Sequence, residues 1–317
     1  MAGNGSTLTS RSCLFAKRWS MSSFPAICLL VRGGGLRGHR RSAVFLHANH
    51  RIAAAFSGEQ AEFVVPPAEL KGIRVEDGAV FFTKFEEPDG AVGQNLDFAV
   101  AGFSAGRVGA QGFAVASLEY RFSQEAIFPA QIEDCKSAIR WLRAHAAEHG
   151  IDPARIGAIG GSAGGTLATF LGATNGLAEF EGPAAASAPS SVVQAVVNID
   201  GVANFLDNAL IAQSEGPPSP YYVFQHGTYR TARTTWIAAS PINYVGPGSA
   251  PTLFIKSTTL RPILPGRDEM SARLKLLGRD SAVVQFPETP HVFWLFHPWF
   301  DRVVEESDRF LRRHLFP

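Results

Sequence analysis

Residues 156–171 read IGAIGGSAGGTLATFL, and the prediction of the fold starts from this stretch. Its first four residues form an apolar run typical of a buried strand, and residues 163–171 have the composition of a helix. Between them lies Gly-Gly-Ser-Ala-Gly, a G-x-S-x-G motif centred on Ser162. A sharp, strained turn from strand to helix requires small flanking residues and leaves the serine Oγ exposed. The pattern therefore predicts a nucleophilic Ser162, against the alternative of a structural serine in a Gly-rich turn.

The helix that follows the motif bears on the same chemistry. Ala163 is predicted to be its first residue, so its N–H points towards the serine at the positive end of the helix dipole. A backbone N–H placed in this way stabilises negative charge that develops on a carbonyl oxygen. We therefore predict Ala163 as one donor of an oxyanion hole.

The rest of the chain from about Gly112 alternates between strand-like and helix-like patterns. Apolar runs predict strands at 113–118, 192–199, 252–256 and 282–286. Helical spacing predicts a helix that ends at Gly150, and two more at 269–277 and 302–315. The alternation indicates βαβ units and an α/β fold with a mostly parallel, doubly wound sheet and helices on both faces.

His291 is the candidate general base. It lies in Pro-Glu-Thr-Pro-His, directly after the strand predicted at 282–286, where a triad on this type of sheet places its histidine. An imidazole with a pKa near neutrality accepts the serine proton and returns it to the leaving group. His297 is the rival, but it lies farther along among bulky aromatic residues, which favours a packed or surface histidine.

The candidate acid is Asp268, the first acidic residue after the strand predicted at 252–256. A carboxylate there would fix the tautomer of the imidazole and stabilise the imidazolium. Asp268 is also well placed to cap the helix predicted at 269–277, since Asp is a favoured N-cap residue. Asp200, after the strand predicted at 192–199, is the reserve candidate.

The N-terminal region has an unusual charge distribution. Residues 1–58 contain eight Arg or Lys residues and no acid, and the first acidic residue is Glu59. This composition predicts that residues 1–64 form a leader, either a targeting segment or a disordered or wrongly translated stretch. Residues 65–317 are then predicted to form the folded domain.

The composition and the motifs argue against several classes of protein. The 317 residues are 46% hydrophobic, which is typical of a folded domain. The net charge of +1 gives no overall positive potential that would attract nucleic acid. No apolar run approaches the ~18 residues of a membrane span. Three cysteines form no disulfide framework, and Cys135 fits a small core residue. We find no zinc-ligand spacing or Walker A motif, and the match of residues 33–38 to G-x-G-x-x-G lacks the helix and acid of a dinucleotide site. We therefore expect neither a cofactor nor a metal.

Five longer stretches carry a family resemblance. They are EYRFSQEAIFPAQIEDCKSAIRWLRAHAAEHGIDPARIGAIGGSAGG (119–165), LGATNG (171–176), ASPINYV (239–245), GRDEM (266–270) and TPHVFWLFHPWF (289–300). From about Gly112 to the C-terminus the chain resembles bacterial esterases of the hormone-sensitive-lipase and feruloyl/acetylxylan-esterase type. These belong to the α/β-hydrolases, and the chain looks most like their pectin acetylesterase-like group. The resemblance implies a serine carboxylesterase that cleaves short acyl esters through an acyl-enzyme without a cofactor. Its substrate would be a small-molecule or polysaccharide ester, with acetyl groups on plant polysaccharides as candidates.

The chain departs from that resemblance at the oxyanion loop. Such esterases usually carry His-Gly-Gly-Gly-Trp about two dozen residues before the strand predicted at 113–118. Counting back reaches Asp-Gly-Ala-Val-Gly at 89–93, so the N–H of Gly90 or Ala91 is the expected second donor. Gly33-Gly34-Gly35 lies much too far upstream. The departure motivates an alternative, a catalytically impaired binding protein with the hydrolase fold, and a peptidase is a third possibility on this fold.

Aromatic residues follow both the predicted base and a Pro-rich stretch. The first group comes just after His291, and core packing is expected for most of its members, with one or two lining the substrate site. The second group lies in residues 214–235, a candidate insertion over the active site. The members are Phe293, Trp294, Phe296, Trp299 and Phe300 in the first group, and Tyr221, Tyr222 and Phe224 in the second.

Overall fold

The computed structural model describes residues 113–118, 120–182, 188–216, 219–258 and 264–316, together with the backbone of five strands upstream. Among the described residues, eight strands form one sheet in the order β10-β9-β8-β7-β1-β6-β2-β3, and β4 pairs with β5. The strands are β1 (Ala26–Gly33), β2 (Ser42–Leu46), β3 (Ile52–Phe56), β4 (Ile73–Glu76), β5 (Ala79–Phe82), β6 (Phe113–Leu118), β7 (Ile151–Gly161), β8 (Ala195–Ile199), β9 (Thr252–Ser257) and β10 (Ser281–Phe286).

Helices alternate with the strands from β6 onward, and three short helices between β8 and β9 were not predicted. They are α1 (Ala130–Ala144), α2 (Ala163–Ala173), α3 (Asn208–Gln213), α4 (Pro220–Gln225), α5 (Arg233–Ala238), α6 (Arg267–Leu276) and α7 (Trp299–Leu315). Short 3₁₀ turns lie at Ala178–Phe180, Pro241–Tyr244 and Phe293–Leu295. None of the described helices is long and apolar enough to cross a membrane.

The sheet is mostly parallel. Strands β7, β8, β9 and β10 pair in parallel with one another, and β6 pairs in parallel with β2. Because the carboxyl ends of parallel strands meet at one edge, the loops after Gly161, Ile199, Ser257 and Phe286 emerge side by side. That edge is where ligands bind in open α/β sheets.

Part of the predicted leader belongs to the sheet, which corrects the domain boundary expected near residue 65. Strand β1 lies between β6 and β7 and pairs antiparallel with both. Pairing on both sides satisfies the backbone of this strand, and charge composition gives no information on such pairing. Gly33 pairs with Ile151, so the carboxyl end of β1 lies at the edge of the sheet opposite to Gly161. Outside β1, β2 and β3, residues 1–64 lie beyond the described residues.

Helices cover both faces of the sheet, as predicted. On one face, α1 and α2 pack their apolar side chains, among them Ile139 and Phe170, against Ala116 and Ala158. On the other face, α7 packs a second set of side chains against β8, β9 and β10, namely Val303, Phe310, Leu311 and Leu315. Cys135 lies in the first core, and burial raises the pKa of its thiol, consistent with a small core residue.

Candidate active site

Ser162 occupies a strained turn between β7 and α2. Its backbone has φ 53° and ψ −118°, a conformation that a non-Gly residue rarely adopts. The turn is this tight because two glycine backbones touch: a Cβ added at Gly160 would lie 2.3 Å from the carbonyl carbon of Gly164. The N–H of Ser162 donates to the carbonyl of Ile199 at 2.8 Å and ties the turn to β8. The glycines of the motif are therefore required by close backbone approach.

His291 lies beside the serine, as the sequence suggests. The Oγ of Ser162 and the Nε2 of His291 are 2.8 Å apart. Trp294 meets the imidazole edge-on, with ring centroids 5.3 Å apart and planes at 85°. The same indole lies 2.8 Å from the position that a Cβ on Gly161 would take, so the tryptophan packs on the turn and on the histidine together.

The carboxylate next to His291 belongs to Asp200, in the loop after β8. Its Oδ2 lies 3.1 Å from His291 Nδ1, and its side chain is fully buried. Ser257 donates its N–H to Oδ1 at 2.9 Å and its hydroxyl to Oδ2 at 2.7 Å, and Arg267 pairs with Oδ1. Burial alone would raise the pKa of Asp200, but the hydrogen bond from His291, the charge of Arg267 and the bonds from Ser257 hold its pKa below the ordinary value.

The structure corrects the assignment of Asp268. Its side chain is 69% exposed and pairs with Lys256, away from the imidazole. Asp268 is also not a helix cap, because the N-cap of α6 is Gly266. The physical reason is the order of the strands: β8 is the immediate neighbour of β7, so a residue just after β8 emerges beside Ser162.

The sequence analysis missed Arg267, the residue directly before Asp268. Arg267 turns inward at the start of α6 and is 8% exposed. No spacing rule marks it, because its role depends on a carboxylate 67 residues upstream. His297, the rival base, is 68% exposed and pairs with Asp301, in line with its interpretation as a surface histidine.

A buried amide supports the loop that carries Asp200. Asn198 donates to the carbonyl of Gly165 at 3.0 Å and to the hydroxyl of Thr169 at 2.7 Å, both on α2. Its oxygen accepts the N–H of Gly201 at 2.7 Å. Asp200 itself has φ 54°, so the loop makes a second strained turn. The helix after Ser162 and the loop around Asp200 are thus fixed to each other.

The structure describes one of the residues predicted as oxyanion donors, Ala163. Ala163 is the first residue of α2, and the first N–H groups of a helix have no partner within it. Gly90 and Ala91, the other predicted donors, lie outside the described residues. No group of three metal-ligating side chains occurs among the residues that the structure describes.

The aromatic residues after His291 mostly pack in the core, as expected. Phe293, Trp294 and Phe300 are buried, whereas Phe296 is 53% exposed. The candidate insertion forms short helices, and its Tyr221 packs edge-on against Phe205 at 5.9 Å.

Comparison with known proteins places this site in a family. The family model described as BD-FAE matches residues 94–265, more than half of the chain and including both Ser162 and Asp200. The chain belongs to the BD-FAE family. Together with solved structures of esterases, the sheet and its helices show an α/β-hydrolase fold of the hormone-sensitive-lipase and feruloyl-esterase type.

Several similar proteins are esterases by name. Esterase LipQ of Mycobacterium tuberculosis is 31% identical over 199 residues, which is 62% of this chain and 46% of LipQ. This BD-FAE chain therefore spans about half the length of the curated relatives it matches. A truncated carbohydrate esterase from gut microbiota is 26% identical, with a TM-score of 0.58, over 67% of this chain and 80% of that one. Esterase Est2 of Thermogutta terrifontis, solved with butyrate bound, is 26% identical, with a TM-score of 0.52, over 67% of this chain and 79% of that one.

Proposed function

We propose that this protein is a serine carboxylesterase that cleaves short acyl esters through an acyl-enzyme. The observation that carries the proposal is the continuous contact from Ser162 Oγ to His291 Nε2 at 2.8 Å and from His291 Nδ1 to Asp200 at 3.1 Å. A nucleophile, a base within hydrogen-bond reach and a carboxylate that orients the base are the parts of a catalytic triad. Asp200 takes the role first predicted for Asp268.

The tautomer of His291 follows from its two neighbours. Asp200 is ionised at neutral pH because its pKa is lowered, and an ionised carboxylate only accepts hydrogen bonds. The proton of the neutral imidazole therefore sits on Nδ1, which leaves Nε2 as an acceptor for the hydroxyl of Ser162. This is the arrangement that a general base requires before attack.

The reaction then proceeds in two acyl-transfer steps. Ser162 Oγ attacks the carbonyl carbon of the ester while His291 takes the hydroxyl proton, and the N–H of Ala163 donates to the oxyanion. The C–O bond to the alcohol breaks as His291 gives its proton to the leaving oxygen. A water molecule, deprotonated by His291, attacks the acyl-enzyme and releases the carboxylic acid and free Ser162.

Acetyl-type esters, including those on plant polysaccharides, are the proposed substrates. The support is the similarity to a carbohydrate esterase and to an esterase that binds butyrate, a short carboxylate. Release of acetate from acetylated xylan, compared with hydrolysis of p-nitrophenyl acetate and p-nitrophenyl octanoate, tests both parts of the substrate. Faster hydrolysis of the octanoate ester would contradict the short acyl group.

The first test of the proposed function uses p-nitrophenyl acetate with Ser162→Ala, His291→Gln and the matched control His297→Gln. We expect the first two variants to lose activity by about 10³-fold or more, since triad members act as a unit. His297→Gln should match the wild type because His297 is exposed and pairs with Asp301. A fluorophosphonate probe should label wild-type Ser162. A folded wild-type protein that neither hydrolyses the ester nor reacts with the probe would overturn the proposal and favour the binding-protein alternative.

A further inference from the structure

A buried arginine lies behind the candidate triad. Arg267 is 8% exposed, and its guanidinium pairs with Oδ1 of the fully buried Asp200. Oδ1 accepts a second bond from the N–H of Ser257. The opposite oxygen, Oδ2, faces His291 Nδ1 and the hydroxyl of Ser257. Each oxygen of the carboxylate is therefore assigned to its own pair of donors.

This division of donors fixes the orientation of the carboxylate. The Asp200 side chain rotates freely unless both oxygens are held, and rotation would move Oδ2 away from the imidazole. Ser257 bonds to both oxygens, but both of its donors are neutral groups. The guanidinium on Oδ1 adds the attraction of two opposite charges to its hydrogen bond, so that end of the carboxylate is the more strongly bonded one.

We propose that Arg267 is a positioning residue that acts through Asp200 and holds Oδ2 against His291 Nδ1. The inference rests on the proposed function, because it assigns His291 a catalytic duty. Arg267 itself touches neither Ser162 nor His291 in any described hydrogen bond.

The charges around the pair support this assignment. Asp200 has three side-chain partners from three elements. His291 comes from the loop after β10, Ser257 from β9 and Arg267 from α6. The neighbouring charges on β9 and α6, Lys256 and Asp268, pair with each other at the surface. Among the described arginine and lysine side chains, Arg267 is thus the one that bonds directly to Asp200.

The test compares two substitutions. Arg267→Met keeps much of the side-chain volume and removes the charge, whereas Arg267→Lys keeps the charge and loses the planar guanidinium with its several N–H donors. The matched control is Arg273→Met on the same helix, whose arginine forms an exposed pair with Glu269. Active sites are counted with a fluorophosphonate, and kcat per labelled site and KM are measured with p-nitrophenyl acetate from pH 5 to 9. The resonance of the His291 Nδ1 proton is followed by NMR, which requires no turnover.

We expect kcat per labelled site to fall about 10²-fold in Arg267→Met, the cost of misplacing a catalytic group by ~1 Å, with KM unchanged. Loss of a nearby cation eases protonation of the coupled Asp200–His291 pair, so the acid limb of the pH profile should move to higher pH. The Nδ1 proton resonance should be lost. Arg267→Lys should recover part of kcat, and Arg273→Met should match the wild type.

A purely structural role for Arg267 gives a different result. The Met variant would then yield fewer labelled sites, each with wild-type kcat, pH profile and Nδ1 resonance, and this result would overturn the inference. If Arg267→Met fails to fold, Arg267→Gln decides, because it removes the charge with a polar side chain, and wild-type kcat per site in that variant would overturn the inference in the same way. A wild type that shows the Nδ1 resonance but no ester hydrolysis overturns the proposed function alone, and loss of the resonance in the Arg267 variants still supports positioning.

Discussion

Replacing Asp200 with Asn tests the acid of the triad and has an outcome that the hydrogen bonds define. The N–H of Ser257 and the guanidinium of Arg267 both donate to Oδ1, so the carbonyl oxygen of Asn must occupy that position. Its NH₂ group then takes the place of Oδ2, 3.1 Å from His291 Nδ1. An NH₂ group can only donate, which forces Nδ1 to be the acceptor and moves the ring proton to Nε2.

The expected loss of kcat in Asp200→Asn follows from this change of tautomer. With a proton on Nε2, His291 no longer accepts the hydroxyl proton of Ser162. Stabilisation of the oxyanion by the N–H of Ala163 is then the remaining contribution to attack. In other Ser-His-Asp triads this change lowers kcat by about 10⁴, which corresponds to roughly 5 kcal/mol of transition-state stabilisation. The loss should appear in kcat for p-nitrophenyl acetate, with little change in KM.

The matched variant is Asp268→Asn. Its side chain is 69% exposed and pairs with Lys256, and exposed ion pairs contribute little, so its kcat should stay within about twofold of the wild type. Thermal unfolding of both variants shows whether each is folded. An inactive Asp268→Asn beside an active Asp200→Asn would refute the structural assignment and restore the one based on sequence.

Two predictions concern stability. Gly160→Ala places a Cβ 2.3 Å from the carbonyl carbon of Gly164 and should lower the free energy of unfolding by at least about 2 kcal/mol in urea titrations, together with activity; a wild-type midpoint would contradict the close approach. Glu181→Gln removes the carboxylate that pairs with buried Lys136 at 2.8 Å and with Arg140 at 2.6 Å. This change should lower the free energy of unfolding by about 3 kcal/mol. Burial opposes ionisation of Glu181, but the hydrogen bonds from Lys136 and the other donors lower its pKa in the folded protein. The stabilisation of the fold by ionised Glu181 is therefore complete above the unfolded pKa of about 4.3 and is lost as the pH falls through the lower folded pKa. Unfolding of the Gln variant should lack that acid dependence, and an equal dependence in both proteins would exclude Glu181 as its source.

Local sequence signals predicted the parts of the site that depend on local structure. The turn at Ser162 needs glycines within two residues, and His291 follows its strand directly, so neighbouring residues carry enough information for both. The acid depended on tertiary structure. Asp200 and Asp268 each follow a strand, and the strand order distinguishes them: β8 lies beside β7, whereas Asp268 pairs with Lys256 at the surface.

The fold was predictable where hydrophobic periodicity is strong. The strands and helices that were predicted from residue 113 onward lie close to their predicted positions, because alternating apolar runs reflect burial. Strand β1 was missed because the basic composition around it suggested a leader, and its pairing with β6 and β7 is non-local. Composition describes what a segment contains and carries no information about its partners.

The start of α6 sets a rotational phase for the whole helix. Gly266 has φ +90°, and a Cβ on it would lie 2.4 Å from Asn204, so this position admits only glycine and anchors the first turn. Each residue of an α-helix turns the next by about 100°. An insertion of one residue between Gly266 and Arg267 would therefore point Arg267 away and bring a neighbouring side chain towards Asp200. The Gly-Arg pair should accordingly be inherited as a unit.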